Sequence, residues 1–175
     1  GIPGDWSDRA SDPAVANLDD SSVQEDMVLR NVGGTFTDIS ATLEFTQSDV
    51  GRALVVADFN RDGMPDLATS GMTMDFQPYV QIWEGSGGCG PGITLHFPEM
   101  SARDIGTKVE WRVGGENRVR WFLPSTTFSS SGPTLHLGLG GFPSADWVRI
   151  TPQGGGMTEY TDVEAGTWLD QRSYQ

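Results

Sequence analysis

The sequence predicts an all-β protein, and three observations support that prediction. Short apolar runs alternate with polar residues at a period of two and are separated by turn residues. The composition is poor in hydrophobic residues (37%) but rich in aromatic residues (10%) and glycine (23 residues), which favours many short strands joined by tight turns. An acidic loop lies between two runs typical of strands. A chain of 175 residues can form one domain or two small ones, each with its own core.

Charge excludes some partners. Asp and Glu number 24 against 11 Lys and Arg, for a net charge of −13. Nucleic acid and anionic membrane both require basic patches, so neither is an expected partner. No apolar stretch is long enough for a membrane span. An acidic protein is, however, well suited to surroundings rich in calcium.

The acidic loop is residues 58–66, DFNRDGMPD, and its pattern predicts a calcium site. Calcium takes six to eight oxygen ligands, and alternate residues of a curled loop direct their oxygens to one centre. The predicted ligands are four side chains and one backbone carbonyl: Asp58, Asn60, Asp62, Asp66 and the carbonyl of Met64. Gly63 permits the positive φ that the curl requires. An EF-hand would need Glu at the twelfth position, where Thr69 stands. The alternative is a solvated acidic turn without metal.

The flanks of the loop place it between two strands. Residues 53–59, ALVVADF, are apolar and β-branched, and DLATSG follows at 66–71. This arrangement resembles the calcium loop of FG-GAP or VCBS repeats, in which D-x-[DN]-x-D-G-x-x-D joins adjacent strands of a propeller blade. The resemblance implies Ca2+ as the cofactor and a secreted or cell-surface location.

A degenerate first copy of the repeat lies 54 positions before the copy that contains the acidic loop. The aligned pairs are Asp8 with Asp62, Asp12 with Asp66, Val28 with Ile82, Leu29 with Trp83, and Gly33-Gly34 with Gly87-Gly88. Gly4 and Trp6 replace two ligands, so we expect the metal site of this copy to be lost, although Asp5, Asp8 and Asp12 leave a weak second site as an alternative. This copy also lacks a counterpart of ALVVADF and is short of one strand. Two copies cannot close a ring of blades, so either the sequence is a fragment of a longer propeller or other chains complete its open strand edges.

The second half predicts a separate β module. Five alternating runs are separated by turn signals: residues 92–98, 107–113, 117–123, 134–140 and 146–152. Gly114-Gly115 predicts a tight hairpin. The order IGTKVEWRVGG, RVRWFLPSTTFSSSG, TLHLGLGG and DWVRITPQGG resembles the ASPIC/UnbV domain over residues 93–169, which implies an extracellular β domain without an established reaction. Thr151 departs from the usual turn of that family, and this weakens any binding role carried over to the turn.

The predicted architecture is therefore an FG-GAP/VCBS-like repeat region at 1–88 and an ASPIC/UnbV-like domain at 89–175. The first consists of incomplete propeller-blade-like repeats, and the second is an antiparallel β-sandwich or barrel-like module.

Catalytic chemistry finds little support in the sequence. His96 and His136 are the only imidazole bases, and no Gly-x-Ser-x-Gly motif accompanies them. Ser86 and Cys89 lie in a glycine-rich hinge, where Cys89 is an incidental loop thiol or an intermolecular link. A glycosidase would need a carboxylate pair away from the calcium loop, and none is evident. The tryptophans form either core and interface packing or a platform for sugars. We expect no enzymatic activity.

The expected function is that of a non-catalytic, calcium-stabilised extracellular subunit that assembles into a surface polymer or filament by β-strand complementation. Self-association through open β edges would complete the first repeat. The alternative is a carbohydrate- or protein-binding adhesion module from a larger secreted protein, with glycans or other surface proteins as partners. A start at Gly1 fits removal of a secretory leader, although an artificial boundary would look the same.

Overall fold

The computed structural model describes residues 24–43, 48–73, 77–86, 90–124 and 132–171. Strands account for 53% and helix for 3% of the structure, which confirms the all-β prediction. In chain order the strands are β1 (Gln24–Glu25), β2 (Leu29–Val32), β3 (Thr35–Asp38), β4 (Ser48–Ala57), β5 (Asp66–Met72), β6 (Pro78–Trp83), β7 (Ile93–His96), β8 (Lys108–Val113), β9 (Glu116–Trp121), β10 (Thr134–Leu137), β11 (Ser144–Thr151), β12 (Thr158–Glu164) and β13 (Trp168–Asp170). One short 3-10 helix covers Ser40–Leu43. The strands of the described ranges form several small sheets and no closed barrel.

The first half of the chain contains a four-stranded sheet and a hairpin. The sheet has the order β1-β4-β5-β6, and β1 pairs antiparallel with the start of β4. The hairpin joins β2 to β3 through Gly33 and Gly34, which have φ values of 61° and 89°. Two consecutive residues with positive φ are what a two-residue hairpin loop requires, so glycine suits both positions. The predicted first repeat copy lies mostly before residue 24, outside the described residues.

The second half forms a β-sandwich. One sheet has the order β10-β7-β13 and the other β12-β11-β8-β9. Side chains of both sheets contribute to one apolar cluster, so the two sheets bury their inner faces against each other. The cluster consists of Ile93, Leu95, Phe97, Val109, Trp111, Val113, Phe122, Leu137, Leu139, Ala145, Val148, Ile150 and Val163.

Alternation in the sequence explains this core. In β8 the buried residues are Val109, Trp111 and Val113, while the residues between them are half-buried. Every second side chain of the strand therefore faces the opposite sheet. The rings of Phe97 and Phe122 stack in the same core with centroids 3.9 Å apart. Both side chains are almost fully buried, so this aromatic pair is part of the core.

All five predicted runs of this module are strands, β7 to β11. The two-residue hairpin is confirmed at Gly114 (φ 58°) and Gly115 (φ 82°), which join β8 to β9. Two further strands, β12 and β13, were not predicted. The pair of β13 with β7 is parallel, whereas the other paired strands of the module are antiparallel. β13 is connected to β7 through the whole module and not through a short turn, so the connection does not force the two strands to be antiparallel.

The described residues divide into two compact units. One contains 24–43, 48–52, 70–73 and 77–79, and the other contains 53–69, 80–86, 90–124 and 132–171. The acidic loop 58–66 therefore belongs to the same unit as the β-sandwich. The boundary predicted between residues 88 and 89 stays a prediction.

Candidate metal loop and basic cleft

The acidic loop connects β4 to β5, as its flanks predicted. Asp58 directly follows β4, and Asp66 is the first residue of β5. Both are buried, with exposed fractions of 9% and 1%. Two carboxylates that fold out of water need partners, because an uncompensated buried charge is costly.

Backbone amides of the loop bind the side chain of Asp58. Oδ1 accepts a hydrogen bond from the N–H of Asp62 at 3.1 Å, and Oδ2 accepts one from the N–H of Gly63 at 3.0 Å. The N–H of Asp62 is also 3.0 Å from Oδ1 of Asn60. Asp62 Oδ1 in turn accepts from the N–H of Met64 at 2.8 Å. The side chains of Asp58, Asn60 and Asp62 therefore accept hydrogen bonds from the loop's own backbone.

Asp66 is held differently. Its Oδ2 accepts from the N–H of Phe59 and its Oδ1 from the N–H of Gly85, each at 2.8 Å. One buried carboxylate thus ties the start of the loop to the segment that follows β6. Charge-assisted bonds of this kind are the strong class of hydrogen bond, so Asp66 acts as a structural link.

Glycine at position 63 is required for two reasons. Its φ is 83°, which confirms the predicted positive value. A Cβ atom built at Gly63 would also lie 2.6 Å from Cβ of Pro91, and the carbonyl of Gly63 accepts the N–H of Gly92 at 2.7 Å. Arg61 has φ 62° as well, a value that its sequence gave no reason to expect. Its guanidinium lies 4.9 Å from the ring centroid of Trp168, so the loop packs closely on the sandwich.

The donor set fits calcium in chemistry. The ligands are hard oxygens, and a carboxylate oxygen that accepts one hydrogen bond keeps a lone pair for a cation. Asn60 Nδ2 donates to Asp62 Oδ2 at 3.0 Å, so these two side chains are already neighbours. Within the described ranges, however, no group of three or more His, Cys, Asp or Glu side chains is arranged to hold a metal ion. The five ligands, Met64 included, therefore stay a prediction.

The two histidines lie in different environments. His96 Nδ1 is 2.8 Å from Asp170 Oδ1 on the parallel strand, and both side chains are partly exposed. His136 is half-buried on β10, and burial, reinforced by the charge of Arg120, lowers its pKa, while Asp58 opposes that shift. His136 Nδ1 is buried and has no hydrogen-bond partner among the described residues.

A cleft of about 390 Å³ lies next to His136, and the sequence analysis missed it. We call it the basic cleft; it is lined by Pro65, Gly90, Trp111, Arg118, Arg120, His136, Gly138, Leu139 and Gly140. Arg118 and Arg120 alternate with Val119 on β9, and residues two apart on a strand share a side. The spacing of Arg118 and Arg120 is the one feature of the sequence that indicates this cleft.

Some predicted positions lie outside the described residues. They are Asp5, Asp8 and Asp12 of the possible second site, Gly4 and Trp6 beside them, and Cys89.

Comparison with protein families agrees with both predicted resemblances. Residues 6–69 match the FG-GAP-like repeat, and residues 99–171 match the family described as ASPIC and UnbV. FG-GAP repeats are blade-like, generally bind calcium and occur in extracellular proteins. No protein of curated function matches the chain. In the part of the chain that the structure describes, no helix is long and apolar enough to cross a membrane.

Proposed function

We propose that this chain, in which an FG-GAP-like repeat region precedes an ASPIC/UnbV region, is a non-catalytic structural module of an extracellular or cell-surface assembly. Its acidic loop takes Ca2+, and its sheets associate with neighbouring copies. The observation that carries the proposal is the loop 58–66, in which buried and clustered carboxylates are organised by backbone amides.

Calcium would act as a brace for the fold. The side chains of Asp58, Asn60, Asp62 and Asp66 and the carbonyl of Met64 would hold it. Bound calcium supplies the positive charge that offsets the repulsion among these carboxylates. The loop is already fixed to the sandwich through Gly63 and Gly92 and to the segment after β6 through Asp66 and Gly85. A ligand that binds only the folded loop therefore stabilises all of these contacts by mass action.

Thermal unfolding in calcium and in chelator tests this part. The wild type should melt at a higher temperature in calcium, with a gain of about 2.7 kcal/mol when calcium is at 100 times its dissociation constant. Asp58→Asn and Asp62→Asn should lose most of that gain, because each removes a ligand charge. Asp162→Asn is the matched control, since Asp162 is an exposed carboxylate with positive φ (52°), a conformation that Asn also adopts readily. A melting temperature that chelation leaves unchanged contradicts the calcium proposal.

Exposed apolar side chains support association. On β4 and β6 the exposed positions alternate with half-buried ones, and the apolar residues among them are Leu54 (50% exposed), Val56 (46%), Val80 (75%) and Ile82 (60%). The alternation places the two residues of each strand on one side of the sheet. Apolar patches of this kind usually mark a surface that another protein covers. β6 is also the last strand of its sheet in the described ranges.

Sedimentation with calcium and then with chelator tests assembly. We expect large species in calcium that dissociate on chelation, because an unbraced loop loosens the strands that associate. Val80→Lys and Ile82→Lys should block assembly without unfolding the monomer, since both side chains are exposed. The control Met157→Lys introduces the same charge at another exposed apolar residue (59% exposed). This variant should leave assembly intact. A folded monomer in both conditions contradicts the structural proposal.

We propose that the chain has no catalytic role. Both oxygens of Asp58 and of Asp66 are bound to backbone amides rather than directed at a substrate. His96 is paired with Asp170, and His136 packs into the wall of the cleft. These contacts suit groups that hold a structure together.

The second candidate function is an adhesion module for carbohydrate or protein, and the basic cleft favours it. The tryptophans give less support to an adhesion module, because two of them already have one ring face occupied. Arg149 lies 4.1 Å from the ring centroid of Trp147, and Arg61 lies over Trp168, so a guanidinium covers a face of each ring. A calcium-independent monomer that binds a soluble ligand would favour this candidate over the structural one.

A further inference from the structure

We propose that the basic cleft is a binding site for a small hydroxylated organic acid, such as a sugar acid, whose carboxylate pairs with Arg118 and Arg120. The cleft volume of about 390 Å³ is near the lower end of the range for small-molecule sites. It uses none of the predicted calcium ligands, so it stands independently of the metal proposal.

The two arginines are held in place by backbone carbonyls. Arg118 Nη1 donates to the carbonyl of Gly138 at 2.9 Å, and Arg120 Nη1 donates to the carbonyl of His136 at 3.1 Å. A guanidinium has five N–H donors, so these bonds leave others for a ligand. Guanidinium groups that are already oriented lose less entropy on binding, which favours affinity.

The charge of the cleft is positive. No Asp or Glu is among the residues that line it. Glu116 lies 3.6 Å from Arg118 Nη2, but its side chain is 75% exposed, and such pairs contribute little. Arg118 and Arg120 are the charged side chains among the lining residues, and the acidic charge that acts on His136 is that of Asp58. A concave site with two fixed cations attracts an anion even in a chain with net charge −13.

The walls favour an organic ligand with hydroxyl groups. Gly90, Gly138 and Gly140 place backbone at the surface, which offers amide and carbonyl partners without side-chain bulk. Pro65, Leu139 and Trp111 are the larger apolar residues of the lining, and Pro65 is the exposed one among them. The planar guanidinium matches a carboxylate in a two-bond geometry that a neutral hydroxyl cannot offer.

NMR titration of the chain with galacturonate tests the assignment, with galactose and inorganic sulfate as separate arms. The indole N–H of Trp111 is a reporter, because it lines the cleft and donates to the carbonyl of Gly138 at 3.2 Å. We expect galacturonate to shift this signal and galactose to leave it in place. Arg118→Gln and Arg120→Gln should each weaken binding by about tenfold.

Two further variants keep the result interpretable. Arg112→Gln removes one positive charge from the neighbouring strand β8, where Arg112 pairs with Asp146 and does not line the cleft, so affinity should stay within about twofold. Arg120→Lys keeps the positive charge but loses the planar guanidinium. Its affinity for galacturonate should lie between those of the wild type and Arg120→Gln, and it provides a second test if Arg120→Gln folds poorly.

The proposal is overturned by equal weakening in Arg112→Gln and Arg120→Gln, by galactose binding as tightly as galacturonate, or by no shift of the Trp111 signal. Equal affinity for sulfate would show that the cleft responds to charge alone, and this too overturns the assignment to an organic acid.

Discussion

The hairpin β2–β3 and the strand β8 both contain apolar side chains, but the two regions have opposite surroundings. Every residue of β2 and β3 is exposed, including Leu29, Val32 and Phe36. In β8, every second residue is fully buried. An apolar residue in a strand therefore stabilises the fold only where a second sheet covers it, and all thirteen residues of the buried apolar cluster lie between residues 93 and 163.

The largest expected effect comes from truncating one phenylalanine in each region. Phe122→Ala should reduce the free energy of unfolding by about 3–5 kcal/mol, because it removes a buried ring that stacks on Phe97 and leaves a cavity. Phe36→Ala should change it by less than about 0.5 kcal/mol, since that ring is 65% exposed. Urea denaturation measures both. Equal losses would show that the hairpin carries a core of its own and would end the comparison.

An intermediate effect is expected from two glycines that share a backbone conformation. Gly63→Ala should destabilise the protein by about 2–3 kcal/mol, because positive φ and the contact with Pro91 both oppose a side chain. Gly34→Ala in the hairpin should cost about 1–2 kcal/mol, since its φ of 89° is similar but no atom lies within 4 Å of the new Cβ. Thermal melts of the two variants measure the difference. Indistinguishable melts would mean that the loop does not pack tightly on the sandwich.

The smallest effect concerns pH. Burial lowers the pKa of His136 below its ordinary value of 6.5 in the folded state, so the unfolded chain binds the proton more readily. Stability from this residue is therefore present above about pH 6.5 and is lost as the pH falls below that value. His136→Gln should flatten the loss of stability as the pH falls below about 6.5, whereas the comparison variant His96→Gln, on the same sheet but paired with Asp170, should retain that loss. An unchanged pH profile in His136→Gln would contradict a buried neutral imidazole.

Within the sandwich, the sequence predicted the first five strands, β7 to β11, and missed β12 and β13. The run of β8 alternates because the sandwich buries every second side chain, and this is visible without coordinates. β12 buries only Val163 of its seven residues, so its apolar pattern is too sparse to read. β13 has three residues, and its pairing with β7 depends on tertiary contacts that a local pattern does not contain.

In the candidate sites, too, features set by local residues were predicted and features set by tertiary contacts were not. The curl of loop 58–66 and the positive φ of Gly63 follow from local residue types, and both were predicted. The bond between Asp66 and the N–H of Gly85 spans 19 residues, so no loop pattern could reveal it. The basic cleft joins β9 to β10 and to Pro65 of the loop, and only the alternation of Arg118 and Arg120 was available in advance.

The parallel pair of β7 and β13 has a consequence during synthesis of the chain. β7 is the middle strand of its sheet, yet Thr94 pairs with Trp168, which the ribosome adds much later. At about 5–20 residues per second, that delay is on the order of 4 to 15 seconds, during which the apolar strand Ile93–His96 lacks this neighbour. The three-stranded sheet is therefore complete only after Asp170 has been added to the chain.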